Sequence, residues 1–330
     1  MPLPNTLSSL PRAELIAGPT PFHFLERFSE AVGVEVWAKR DDIGPVSLAG
    51  NKVRKLEFLL GDALESECDV LVTTGAAQSN SARASAAAAA ALGMDSVLVL
   101  SGVEPAQPTG NLVVDRLVGA EIRWAGEVGW DRLNELVDEV ASELEAQGRR
   151  PYRAPVGCSS PLGALGFTAA WFELTDQLDE ADLHPSAVYH ASTSGGTHAG
   201  LILGRAWSGS GPAVRGISAG KVQDDPVGHH RGLALESAGL LGLDDVEVEV
   251  SLDFSCIGPA YGVPTEASDA AIRLLARTEA ILCDPVYSGK GLAGLIGDAP
   301  SLEGPVVFWH TGGWHALFHP PFTGSLLARW

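Results

Sequence analysis

The stretch Ala187–Leu201 reads AVYHASTSGGTHAGL. A short apolar run, Ala187–Ala191, passes through a Ser/Gly turn into a helical pattern over Thr197–Ala206. Strand, glycine turn and helix in immediate succession form the repeating unit of a βαβ crossover. The same alternation extends in both directions. Strands are expected at Val34–Lys39, Val70–Thr74, Ser96–Leu100, Glu121–Trp124, Val214–Ser218 and Pro305–His310. Helices are expected at Lys52–Ser66, Ser79–Leu92, Leu112–Val118, Asp131–Gln147 and Gly163–Leu178. Glu104–Gly110, Ser208–Pro212, Asp224–Val227 and Gly258–Pro264 read as connections. Strands spaced by helices imply a mainly parallel, helix-covered sheet and an α/β fold.

Length and composition narrow the field. At 330 residues the chain suits two domains of ~150 residues each. Hydrophobic residues at 45% and charged ones at 19% are ordinary for a globular protein. No apolar run approaches the ~18–20 residues of a membrane span. The start, MPLPNTLSSLPRAEL, lacks the basic stretch and apolar core of a secretory signal, so a cytoplasmic protein is expected. The 22 basic and 41 acidic residues give a net charge of −19, which disfavours nucleic acid as a partner. Cys68, Cys158, Cys256 and Cys283 stand far apart without a C-x-x-C pair, so neither a disulfide framework nor a metal site is expected.

Five segments hold residue types that carry chemistry. Ser194, Gly195, Gly196 and Thr197 offer an anion two hydroxyls, close backbone N–H groups and the positive end of a helix dipole. The pattern is neither GxGxxG nor GxxxxGK[ST]. Leu48–Glu57, LAGNKVRKLE, sets Lys52 at a helix start, where the dipole favours a neutral, nucleophilic amine. A surface lysine is the plainer reading there, and Arg54 and Lys55 read as solvated or phosphate-proximal charges. Thr73–Arg83, TTGAAQSNSAR, again runs strand, turn, helix. Ser79 could cap that helix, while Gln78, Ser79 and Asn80 could cradle a carboxylate. Tyr261 in GPAYGVPT and Tyr287 in DPVYSGKGLAGL are two of four tyrosines and lie in Gly/Pro-framed loops. A nearby cation that lowered their pKa would fit them for proton transfer. Val306–Phe318, VVFWHTGGWHALF, is a buried strand ending in Thr311, where open α/β sheets place ligands.

In this order and spacing, GNKVRKLE, TGAAQSNSAR, STSGGTHAGL, DPVYSGKGLAGL and FWHTGG resemble the 1-aminocyclopropane-1-carboxylate (ACC) deaminase / D-cysteine desulfhydrase family. These are pyridoxal-phosphate (PLP) enzymes of the tryptophan-synthase-β-like fold type II. The resemblance runs from about Pro19 to Phe318. It implies a homodimer of two three-layer α/β/α domains with mainly parallel sheets, a small one (51–162) inserted into a large one (1–50 and 163–330). It also implies that Lys52 holds PLP as a Schiff base and moves the α-proton of a small amino acid. Asn80 would meet the ring hydroxyl, Gln78 and Ser79 the substrate carboxylate, and Ser194, Gly195, Gly196 and Thr197 the phosphate. Thr311 would sit at the pyridine nitrogen, and Tyr261 and Tyr287 over the substrate side chain.

Departures from the family pattern bear on the reaction. The family's ring-opening ACC deaminases carry Glu after the Tyr287-like tyrosine and Leu at the Thr311-like place. Ser288 and Thr311 therefore favour β-elimination, with D-cysteine giving pyruvate, ammonia and sulfide. LAGNK stands for the usual GGNK, Ser81 for a frequent His, and GGWHALF closes the last motif unusually. Trp314 and His315 could reshape the substrate pocket or pack against the loop. A charged His315 would suit an acidic side chain, as in an L-cysteate sulfo-lyase. Readings from other classes are a non-catalytic PLP- or metabolite-binding relative and an α/β phosphometabolite-binding protein using only the SGGT loop.

Overall fold

The computed structural model describes residues 3–44, 50–221 and 223–327; Leu48 and Ala49 of the LAGNK segment fall outside these. The chain begins with α1 (Asn5–Ser8), β1 (Phe22–Phe24), α2 (Glu26–Val32), β2 (Val36–Arg40), α3 (Lys52–Glu65) and β3 (Val70–Ala76). It continues through α4 (Asn80–Ala91), β4 (Asp95–Ser101), α5 (Asn111–Leu117), β5 (Glu121–Trp124), α6 (Trp130–Ala146) and β6 (Pro151–Arg153). Next come α7 (Pro161–Glu180), β7 (Ala187–Ser192), α8 (Gly196–Ser208), β8 (Ala213–Ser218), α9 (Pro226–Leu240) and β9 (Ser251–Asp253). The last elements are α10 (Glu266–Glu279), α11 (Ser288–Asp298), β10 (Val306–His310) and α12 (Pro320–Leu327).

Two sheets result. The larger has the order β1-β2-β10-β7-β8-β9, with β1 antiparallel and the other pairings parallel. The smaller, β5-β4-β3-β6, is wholly parallel. Each is covered on both faces, as parallel sheets require. Strand alternation sorts the core of the larger sheet. Val188 and Val307 face α7, α8 and α9 with Phe167, Trp171 and Leu201, while their neighbours Tyr189 and Phe308 face α2, α10 and α11 with Phe28, Ile272 and Leu275. In the smaller sheet, Leu71 packs toward α3 and α4, and Val70 and Val72 toward Leu133, Val137 and Val140 of α6.

Glycine sets the spacing between α3, α7 and α8. A Cβ at Gly166 would overlap the Arg54 carbonyl, and one at Gly200 the Ala164 carbonyl, so these backbones meet almost directly. The alanine run of α4 serves the same end, with Ala84, Ala86, Ala88 and Ala89 buried against the sheet.

The expected strands and helices are all present, most with ends shifted by one or two residues. The short strands β1, β6 and β9 and helices α1, α2 and α9–α12 lie outside the expected elements, although α10 sets buried Ala271, Ile272 and Leu275 at helical spacing among charged residues. Asp224–Val227 is not wholly a connection: Pro226 starts α9, and Asp225 caps it by accepting from Gly228 N. Arg54 is not a solvated charge either. It is buried, with Nε and Nη2 donating to Asp41 and Nη1 to Glu173 at 2.8 Å. Lys39, also buried, bonds Glu173, Gln177 and the Thr20 carbonyl. The two cations hold the Glu173 carboxyl down at about 2. Removing one partner of such a buried cluster strands the others. Glu173→Ala should therefore cost about 3–5 kcal/mol in urea unfolding; a loss near zero would contradict the account.

Candidate active site

A cavity of about 390 Å³ lies where the parallel strands of both sheets end. Strand β3 leads into Ser79, Asn80 and Ser81, and β7 into Ser194, Gly195 and Thr197. Thr311 and Gly312 follow β10, and Asn51, Lys52 and Lys55 enter from the start of α3. Tyr261 and Tyr287 close another side. No Asp or Glu is among the described residues lining the cavity.

The turn after β7 forms a cup. Gly195 adopts φ +91°, which only glycine takes without strain. A Cβ on Gly196 would come within 2.9 Å of Lys55 Nζ and 2.8 Å of Ser159 Oγ, so glycine keeps those polar groups open to the turn. Lys55 Nζ donates to Ser159 Oγ and the Gly157 carbonyl, Ser159 and Ser194 hydroxyls meet at 2.8 Å, and Asn51 Nδ2 donates to Thr197 Oγ1. Three chain segments thus converge on the start of α8. Burial holds the amines of Lys52 and Lys55 below the usual lysine range. Arg83 adds to the effect on Lys52, and Lys52 to that on Lys55.

A row of imidazoles supports the cup from below. The carbonyls of Ala191 and Pro226 can only accept, so His190 and His230 each donate from Nδ1. His190 Nε2 then accepts from His198 Nδ1 at 3.0 Å, and His230 Nε2 accepts from Ser192 Oγ at 2.9 Å. Burial keeps all three neutral and lowers His190 and His230 to about 4.

Residues 13–312 match the Pyridoxal-phosphate dependent enzyme family. The chain belongs to it. It is 40% identical to a D-cysteine desulfhydrase of Klebsiella pneumoniae (strain 342), across 96% of this chain and 98% of that protein. An ACC deaminase homologue of known structure superposes with a TM-score of 0.91 at 37% identity, covering 98% of each chain. A threonine deaminase isoform of Solanum lycopersicum, at 16% identity and TM-score 0.67 over 93% of this chain and 82% of that one, shares the fold. The chain is accordingly a fold type II PLP enzyme of the ACC deaminase / D-cysteine desulfhydrase family.

The residues present fit PLP. The cup offers a phosphate backbone N–H groups, three hydroxyls and the Lys55 amine. The Lys52 amine lines the same cavity and makes no hydrogen bond among the described residues, which leaves it available to an aldehyde. Of the family-implied positions, Lys52, Ser79, Asn80, Ser194, Gly195, Thr197, Tyr261, Tyr287 and Thr311 surround one cavity. Gly196 sits behind its wall, with its N–H on Ser159 Oγ.

Three positions lie elsewhere. Gln78 turns away: its amide donates to the Thr109 carbonyl and its Oε1 accepts from Asn111 N, locking the loop before α5. Trp314 and His315 stack on each other with ring centroids 4.0 Å apart and do not line the cavity. The phenols also differ from expectation. Burial raises both Tyr261 and Tyr287, and no cation opposes it, so they stand as neutral hydroxyls hydrogen-bonded to each other. The Ser288 hydroxyl is committed outside the cavity, donating to buried Asp284 and accepting from its N–H. Asn51, Ser159, His229 and Trp130 also line the cavity. Asn51 has a signal in sequence, as the neighbour of Lys52.

The buried imidazoles set a pH dependence. Their folded pKa lies below the ordinary 6.5, so they favour the folded state above pH 6.5 and lose that contribution as pH falls toward 4. Protonating either would cost about 3 kcal/mol at the end of that fall. Lys55 and His229 are the charged or titratable groups facing them from α3 and α9, and both oppose added charge. Glu173 keeps its full contribution above about pH 4.5 and loses it below, whereas burial raises Asp115 to about 7, so its protonation in the same window works against the histidines. Between pH 6.5 and 4.5 the melting temperature should therefore fall further, or rise less, than in the double variant His190→Gln, His230→Gln. An equal change in both would refute this.

Proposed function

We propose that the chain eliminates hydrogen sulfide from D-cysteine, the remaining enamine taking up water to give pyruvate and ammonia. One observation carries the reading: in a chain of net charge −19, the described cavity wall holds two lysines, a histidine and a pair of neutral tyrosines but no carboxylate. Such a wall suits a ligand with a phosphate and a carboxylate. It also puts no acid where one could protonate the pyridine ring, which suits direct loss of a β-leaving group over ring opening.

PLP, when bound, draws off the electrons released at the substrate α-carbon. Lys52 is the residue to hold it and then, with its lowered pKa, to take up the α-proton as a neutral amine. Lys55, Ser159, Ser194, Gly195 and Thr197 hold the phosphate. The Ser79 hydroxyl and the N–H groups opening α4 receive the substrate carboxylate. Asn80, whose Oδ1 is fixed by Asn111 Nδ2 at 2.8 Å, meets the ring hydroxyl, and Thr311 the pyridine nitrogen. Tyr261 and Tyr287 form a two-hydroxyl relay whose outer proton reaches the leaving sulfur. With His315 off the cavity, nothing in its wall singles out the sulfonate of cysteate.

The domain division 51–162 within 1–50 and 163–330 is our reading too, supported by β3–β6 forming one sheet and the remaining strands the other. A cytoplasmic homodimer is proposed with it. Four unpaired cysteines suit a reducing compartment, exposed Val113 and Leu117 on α5 offer apolar surface for a second copy, and the net charge disfavours nucleic acid. No described helix is long and apolar enough to cross a membrane.

Two experiments bear on the chemistry. With PLP-loaded protein and D-cysteine, L-cysteate or ACC, keto acid should form fastest from D-cysteine together with sulfide; turnover of ACC alone would overturn the assignment. Lys52→Ala should lose the visible absorbance of the bound cofactor and at least about 10³-fold in kcat, and retained absorbance would remove Lys52 from its role.

A further inference from the structure

Lys290, in DPVYSGKGLAGL, is a buried cation that the proposed reaction leaves unused. It lies in the first turn of α11, three residues after Tyr287. Burial and the helix dipole both disfavour an ammonium there. No ion pair to it is present among the described residues. Its Nζ donates instead to two backbone carbonyls, Ile257 at 2.6 Å and Ala219 at 3.2 Å.

Those carbonyls belong to the two loops that frame Tyr261. Gly220, next to Ala219, lies under the Tyr261 ring, and a Cβ there would stand 2.7 Å from its Cδ2. Ile257 begins the turn that carries Tyr261, and residues 258–261 of that turn are exposed. Among the described residues, two side-chain hydrogen bonds tie residues 254–264 to a distant element, Tyr261 with Tyr287 and Lys290 with Ile257. Both run to the start of α11, so one helix end grips the loop twice.

We propose that Lys290 is a positioning residue: by holding the Ile257 and Ala219 carbonyls it fixes the Tyr261 hydroxyl against that of Tyr287. The inference rests on the reading of the tyrosine pair as the proton relay. Without Lys290 the phenol pair would be the loop's one remaining side-chain hydrogen bond to another element among the described residues, and the relay would be made in a fraction of the molecules.

The test uses the holoenzyme with Lys290→Met, Tyr261→Phe and the double variant. In Lys290→Met, hydrogen exchange across residues 254–264 should rise about tenfold, while PLP affinity stays within about twofold, since the phosphate cup is untouched. The kcat for sulfide release should fall about 10–100-fold with little change in KM. In the Tyr261→Phe background, Lys290→Met should change kcat less than about twofold further, because no hydroxyl remains to be positioned. Full additivity, or unchanged exchange in the loop, overturns the proposal while leaving the relay intact. A Tyr261→Phe enzyme with undiminished kcat overturns the relay and the inference with it. Should Lys290→Met fail to fold, Lys290→Gln, which keeps a donor, takes its place in the cycle. If neither variant loads PLP, Lys290 serves the fold and the proposal falls.

Discussion

The guanidinium of Arg54 sits between Asp41, Glu173 and Thr20, beneath a loop following β2 and against α7. Trp309 from β10 adds its indole N–H to Asp41, so the same carboxylate also fixes the central strand of the larger sheet. Since Arg54 cannot lose its charge, the start of α3 has one orientation in which that charge is matched. Asn51, Lys52 and Lys55 then project toward the cavity on the helix's other side. Gly166 lets α7 approach the Arg54 carbonyl closely enough for this to happen. The reactive amine is thus placed by a neighbour two residues away that never meets a ligand.

Charge is sorted with equal care around the cavity. The acidic residues that dominate the composition lie outside its described wall, while the lysines inside are kept below their ordinary pKa by burial and by cationic neighbours. Below the cup, three histidines hold hydrogen bonds in one fixed pattern of tautomers without adding charge. Asp284, a buried carboxylate, is surrounded by the N–H groups of Val286, Tyr287 and Ser288 and by the Ser288 hydroxyl. Its charge shapes the turn before α11 and does not face the cavity. The position where ring-opening relatives carry an acid is occupied here by a hydroxyl that closes this turn.

Much of this was legible in sequence because it follows from local rules. Ala187–Leu201 had to be strand, turn and helix, and Gly195 and Gly196 had to admit something close. That the something included Lys55 and Ser159 depends on segments about 140 and 36 residues away, which no local pattern encodes. Gln78 and Ser79 are adjacent and chemically alike, yet only Ser79 lines the cavity; Gln78 is claimed by Asn111 across a turn whose path is fixed by tertiary packing. Trp314 and His315 were weighed as pocket residues because they follow the ligand-bearing strand end, but a left-handed Gly313 redirects the chain and stacks the two rings on each other. Phenol protonation was equally illegible, since it depends on burial and on the absence of a cation within reach. Strands of three residues, such as β6 and β9, leave too short an alternation to be read at all.

The position of β10 has a consequence for how the protein is made. It is the last of the described strands to be synthesised, yet it pairs on one side with β2, among the first, and on the other with β7. Until about residue 310 has left the ribosome, those two strands have unpaired edges and no common sheet, whereas β3–β6 can associate soon after residue 153 emerges. The smaller sheet can therefore fold during translation, and the larger one waits for β10 to emerge. Since Thr311 follows directly on β10, the site is completed only once the larger sheet has closed.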